Sequence, residues 1–118
     1  VIKYPKNFSE FEIQSTLFSQ LKLNGFDVRG EVSTSNCRFD LVVFAEQKGF
    51  TEAICIVETK AWLKKKTPTH TVQIEKYSQF NIPIIVCGSY DKIFKALRRI
   101  EKIHNNFIRG KKQEFKLY

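Results

Sequence analysis

Two carboxylates and a lysine stand where the surrounding sequence is apolar. Asp40 interrupts the run Arg38 to Phe44 (RFDLVVF) near its start, and Glu58 closes the run Ala53 to Glu58 (AICIVE), with Thr59 and Lys60 following. The segment between the runs, AEQKGFTE, is polar with Gly49 in its middle, the pattern of two strands joined as a hairpin. A hairpin folded about Gly49 pairs residues whose numbers add to 98, so Asp40 and Glu58 face each other on antiparallel strands. Facing carboxylates repel, and such a pair is costly unless a cation or a proton lies between them. Converging carboxylate oxygens, with waters completing an octahedron, are a donor set for Mg²⁺ or Mn²⁺. Side chains alternate along a strand, which puts Lys60 on the face of Glu58 and turns Thr59 away. An ammonium so placed could orient or help deprotonate an attacking water, or neutralise charge building on a phosphate. Each piece alone has an ordinary reading: an E-x-K tripeptide at a strand end is commonly a solvated charge pair, as is a single Asp at a strand start.

The elements that must position these residues can be read in order. From Ser9 to about Asn24, Phe11, Leu17, Phe18 and Leu21 recur near helical spacing and Gly25 follows as a stop, which predicts a first helix. Phe26 to Val32 (FDVRGEV) reads as a strand with a bend or bulge at Gly30, and Ser33 to Asn36 is loop chemistry. After the hairpin come Lys64, Lys65, Lys66 and Pro68, then a second helix over about Thr71 to Phe80. Ile82 to Cys87 is a short apolar strand. Asp91 is expected to cap a third helix reaching about Phe107, with Ile93, Leu97, Ile100 and Phe107 on its buried side. The tail from Glu114 to Tyr118 suits a last edge strand. The order α-β-β-β-α-β-α predicts an α/β fold, a mixed central sheet flanked by helices, and no linker divides the 1–118 span into more than one domain.

Composition narrows the partners. With 42% apolar residues among 118, the chain can bury a modest core, and 20 Lys and Arg against 12 acidic residues give a net charge of +8. An excess of that size on a small domain favours polyanions such as nucleic acid, without separating DNA from RNA or a cutting protein from a passive binder. Cys37, Cys55 and Cys87 form no close pair, and the last two sit inside apolar runs, so they read as buried thiols of a reducing compartment rather than zinc ligands. No stretch approaches a membrane span and VIKYPKNF lacks a signal-peptide core, which points to the cytoplasm. With Val1 standing first and no Met anywhere, residues upstream, and with them a targeting segment, stay open.

The run RFDLVVF followed by AICIVETK resembles the D and ExK motifs of the PD-(D/E)xK nuclease superfamily, and the predicted element order is similar to that superfamily's restriction-endonuclease-like α-β-β-β-α-β core, over roughly residues 9 to 90. The resemblance makes Asp40, Glu58 and Lys60 the three motif positions, although Phe39 stands where the motif's name has proline. It further implies a metal contact from the carbonyl of the residue between the last two, Thr59. Glu10-Phe-Glu12-Ile13 is similar to the helix-one E-x-E string of archaeal Holliday-junction resolvases, which makes Glu10 a further metal-site acid and Glu12 the alternative, against the reading of both as first-turn acids favoured by the helix dipole. Gln73-Ile-Glu-Lys-Tyr77 resembles the Q-x-x-x-Y motif of RecB-like nucleases. Four residues apart, Gln73 and Tyr77 share a helix face and could reach the metal pocket or a phosphate backbone; the competing reading packs Tyr77 on the sheet and leaves Gln73 solvated.

Lys64, Lys65 and Lys66 directly follow the site and suit a nucleic-acid groove, whereas Lys92, Lys95, Arg99 and Lys102 read as a solvated helix stripe. The function expected is a Mg²⁺- or Mn²⁺-dependent endonuclease that hydrolyses phosphodiester bonds in DNA by an activated water, with RNA still open as a partner. Cutting both strands would suit a homodimer. The alternative from another class is a non-catalytic nucleic-acid-binding or regulatory module on the same fold.

Overall fold

A computed structural model of the chain describes residues 1–3, 8–34, 36–60 and 75–118. Helix α1 spans Glu10–Leu23, and the Ser9 hydroxyl caps it by accepting the Glu12 N–H at 3.1 Å. Its buried residues are Ile13, Leu17 and Leu21, each one helical turn from the last. Phe11, expected on the apolar stripe, is 77% exposed, because it lies six residues before Leu17 and so falls off the face that Ile13 occupies at four.

Four strands follow as a sheet in sequence order: β1 Asp27–Ser33, β2 Arg38–Gln47, β3 Phe50–Thr59 and β4 Ile84–Cys87. Neighbours in the first three are antiparallel, and β4 lies parallel to β3, so the sheet is mixed. Between β3 and β4 the described chain contains a helical turn, α2, at residues 75–78. A 3-10 turn at Tyr90–Lys92 leads into helix α3, Ile93–Ile108. Asp91 sits inside that turn instead of capping the helix, since α3 begins after Lys92 without a side-chain cap. The tail reaches the outer edge of β4 through a single bridge, Ile84 to Leu117, flanked by Ile84 N–H to Lys116 O at 2.8 Å and Tyr118 N–H to Ile84 O at 2.9 Å.

Alternation along the strands divides the core into two layers. Leu41, Val43 and Val57 face α1 and α3, packing with Ile13, Leu17, Leu21, Ile93, Ala96, Ile100, Ile103 and Phe107. Val42, Ile56 and Ile84 pack on the other side with Phe39 and Tyr77 of α2. All three cysteines are buried free thiols. Among the described residues no helix is long and apolar enough to cross a membrane.

The β2–β3 hairpin fixes where Asp40 and Glu58 meet. Lys48 and Gly49 both take positive φ, 53° and 82°, so two residues make the turn and Gln47 faces Phe50. Facing numbers therefore add to 97 near the turn, one fewer than a hairpin centred on Gly49 requires. A β-bulge after Phe44 and Ala53 then inserts Ile54, and from Val43↔Cys55 to Leu41↔Val57 the numbers add to 98. Ile54 and Cys55, adjacent in sequence, consequently both enter the α1–α3 layer. The bend expected at Gly30 falls one residue later, where Glu31 has φ 54°.

Gly49→Ala should cost about 1–2 kcal/mol, since a side chain is strained at φ 82° even with open space around it. Gly30→Ala should stay within about 0.5 kcal/mol, because the added carbon meets Asp40 O and Leu41 Cδ2 at an ordinary 3.8 Å. Urea unfolding midpoints measure both, and equal effects would refute the turn assignment.

Candidate functional site

Backbone pairing of β2 with β3 stops at Leu41↔Val57, and at the next position side chains take over. The Asp40 N–H donates to Glu58 Oε1 at 3.3 Å, while Asp40 Oδ2 accepts the Thr59 N–H at 2.8 Å and the Thr59 hydroxyl at 3.1 Å. Each carboxyl thus satisfies a backbone donor of the opposite strand, a demand any buried N–H makes. Thr59, expected to turn away, instead grips Asp40, because strand alternation lapses where the ladder opens. Glu58 and Thr59 are both 1% exposed.

Confinement has an electrostatic consequence. Burial first, and the negative charge of Asp40 second, push the Glu58 carboxyl from an ordinary 4.5 up to about 8, and a hydrogen bond with the Asp40 carboxylate adds to the rise. So raised, the Glu58 carboxyl keeps its proton at neutral pH. Opposing this, the Asp40 N–H and the positive charge of Lys60 favour the ionised form. Lys60 is half-buried, and its own N–H donates to Cys87 O at 3.1 Å, which ties the end of β3 to the end of β4.

Helix α1 braces the pair. Gln14 donates through Nε2 to the Asp40 carbonyl at 3.2 Å and to Glu31 Oε1 at 3.1 Å, and Arg38 Nε donates to Glu31 Oε2 at 2.8 Å. The Gln14 amide, then Arg38, holds the Glu31 carboxyl below its usual range. Neither Gln14 nor Glu31 stands out in the sequence, although Gln14 lies one turn after Glu10 on the same helix face. The same geometry separates the two helix-one acids. By helical spacing Glu10 falls on the stripe of Ile13, Leu17 and Leu21, at its exposed end, whereas Glu12 lies off it, its N–H bonded to Ser9. Ser9-x-x-Glu12 is a capping-box pattern, a signal available in the sequence.

Tyr77 is only 2% exposed. Its hydroxyl donates to the Arg38 carbonyl at 2.6 Å and its ring meets Phe39 edge-on at 4.7 Å. This burial favours the competing reading, in which Tyr77 packs on the sheet and secures the start of β2. Gln73, Lys64, Lys65 and Lys66 lie outside the described residues. Of the helix-three cations, Arg99 lies over the Tyr118 ring at 4.5 Å while Lys92 and Lys95 are exposed.

A third acid does not join Asp40 and Glu58: among the described residues no three His, Cys, Asp or Glu groups gather closely enough to hold a metal ion. The donors at hand are two carboxylates and the neighbouring Thr59 carbonyl, which fits Mg²⁺, an ion that takes one or two carboxylates and keeps waters or substrate oxygens in its remaining positions.

A family model described as PD-(D/E)XK nuclease superfamily matches residues 8–108. No curated protein and no solved structure matches the chain.

Glu58→Gln retains an acceptor for the Asp40 N–H and carries no charge. In the wild type the folded chain holds the Glu58 proton up to about 8 while the unfolded chain loses it near 4.5, so its stability falls as pH rises through that window. In EDTA the variant should match the wild type at pH 4 and exceed it by on the order of 3 kcal/mol at pH 9. Urea denaturation across pH measures this, and a difference independent of pH would show that Glu58 titrates normally.

Proposed function

Because the chain belongs to the PD-(D/E)XK nuclease superfamily, we propose that it is a deoxyribonuclease that cleaves phosphodiester bonds with Mg²⁺ or Mn²⁺ held by Asp40, Glu58 and the Thr59 carbonyl. The observation that carries this reading is the acid pair at the open end of the hairpin, Asp40 half-buried and Glu58 buried, with Glu58 pushed up to about 8 and a lysine charge beside it. A structural role accounts for the N–H bonds but does not call for acids: neutral amides would accept the same bonds without crowding two carboxyls where Glu58 is 1% exposed. A divalent ion exchanged for the Glu58 proton would offset that crowding.

When bound, the ion would supply a polarised phosphoryl oxygen and a water acidified enough to attack at neutral pH. The chain's own residues do the rest. Thr59 holds Asp40 Oδ2 through two bonds, so the carboxylate is oriented before any ligand arrives. Gln14 fixes the Asp40 backbone from α1. Lys60 directs its ammonium to the attacking water or to the charge that grows on the phosphate. Glu10, at the first turn of α1, is the acid we assign to the outer side of the site, acting through water. Lys64, Lys65, Lys66 and Gln73 remain our assignments for the phosphate backbone, and two copies of the chain would serve a duplex cut on both strands.

Purified protein with Mn²⁺ or Mg²⁺ should cleave at least one of linear, single-stranded, branched and supercoiled DNA, and EDTA should abolish cleavage. Asp40→Asn should lose Mn²⁺ binding by calorimetry. Lys60→Ala should keep that binding while its cleavage rate falls about 10²- to 10³-fold. Titration in buffers of different ionisation enthalpy at pH 7 should report about one proton released per ion, as expected when metal displaces a bound proton. DNA binding without metal-dependent cleavage of any substrate would instead favour the non-catalytic module.

A further inference from the structure

The outer surface carries a group of aromatic rings that the core does not use. Phe8 and Tyr90 stack on each other with ring centroids 4.0 Å apart and planes 18° from parallel, yet 43% and 41% of these residues stay exposed. Phe94 lies four residues beyond Tyr90, across the 3-10 turn and into α3, and is 71% exposed. Single exposed apolar residues are ordinary, but a face-to-face pair with a third ring one turn away is a patch.

Its place is as informative as its composition. Cys87 ends β4 opposite Thr59 and accepts the Lys60 N–H, and the chain reaches Tyr90 three residues later. Phe8 precedes Glu10 by two residues at the capped start of α1. The rings therefore border the end of the sheet where Asp40 and Glu58 converge. Lys92 and Lys95 interleave with Tyr90 and Phe94, and Arg99 follows one turn on. The same surface includes three acids. Asp91 is held below the usual carboxylate range, chiefly by the Ser89 hydroxyl, Glu12 belongs to the helix cap, and Glu10 opens the first turn of α1.

We propose that Phe8, Tyr90 and Phe94 form a stacking ledge for unpaired bases, and that the substrate class of this chain is single-stranded nucleic acid or the single-stranded part of a branched one. The proposal rests on the nuclease reading above. Flat rings beside lysines match what a single strand presents, a base face and a phosphate at each step, whereas a continuous duplex keeps its base faces inside the stack. A protein partner would also use aromatic anchors, but interface centres are depleted of lysine, so the cations between the rings favour a polyanion.

Fluorescence anisotropy in EDTA, with labelled 16-mer oligothymidylate and a 16-base-pair duplex as probes, separates the outcomes. The single strand should bind about tenfold or more tightly than the duplex. Phe94→Ala and Phe94→Leu should both lose on the order of tenfold in single-strand affinity and leave the weak duplex binding unchanged, with thermal melts unaltered. Leucine keeps apolar area without a ring, so full retention by Phe94→Leu overturns stacking. Equal affinity for the two probes, or single-strand affinity within twofold of wild type in Phe94→Ala, overturns the ledge. So does a concentration-dependent dimer in light scattering that Phe94→Ala dissolves without touching single-strand affinity. Metal-dependent cleavage insensitive to Phe94 would sink the ledge and spare the nuclease. Ring-dependent single-strand binding with no cleavage of any substrate would do the reverse.

Discussion

The last rung between the two central strands is built from side chains. Past Leu41↔Val57 the strands separate, and the donors exposed there would be buried without partners if Asp40 and Glu58 did not reach across to them. A buried N–H left alone costs about 1–3 kcal/mol, so the carboxyls are structural before they are anything else. Their mutual repulsion is the counterweight, and the protein relieves it by keeping the Glu58 carboxyl protonated, its pKa raised to about 8.

Everything around this rung holds β2 still. From the α1 side, the Gln14 amide spans the Asp40 carbonyl and the Glu31 carboxylate, which Arg38 engages in turn. From the opposite layer, the Tyr77 hydroxyl bonds the Arg38 carbonyl. Glu31 sits at φ 54°, a conformation non-glycine residues seldom adopt, directly across from the Asp40 segment. Clamped on both sides, Asp40 has its orientation set by neighbours on three elements, which is how a site on strands achieves more precision than one on loops.

The register that aligns the acids depends on a compensation. A two-residue turn at Lys48–Gly49 alone would pair Asp40 with Val57, and a slip of one residue turns a side chain to the opposite face. Ile54 restores the alignment by adding one residue to β3 and hides itself in the core as it does so. A bulge near a functional site that re-aims a side chain is a recurrent device of antiparallel sheets. Here it also explains why Glu58 meets Asp40 from a buried position, since β3 from Ile54 to Thr59 is buried without a break.

By itself the sequence determined the order of elements, the apolar strands, the facing of Asp40 and Glu58 and the family, because periodicity, turn residues and a charge inside an apolar run are local signals. It yielded the facing register through a turn centre half a residue off, corrected by a bulge that no local pattern marks. The tertiary structure alone decided that Thr59 and Glu58 trade side-chain bonds with Asp40, that Gln14 and Glu31 brace it, that Phe11 lies in solvent and that Tyr77 is sealed in the core. Each of these turns on what approaches from a distant part of the chain. Whether a polar group is satisfied, and how far its proton affinity moves, depends on neighbours brought together by packing, and packing is not written at any single position.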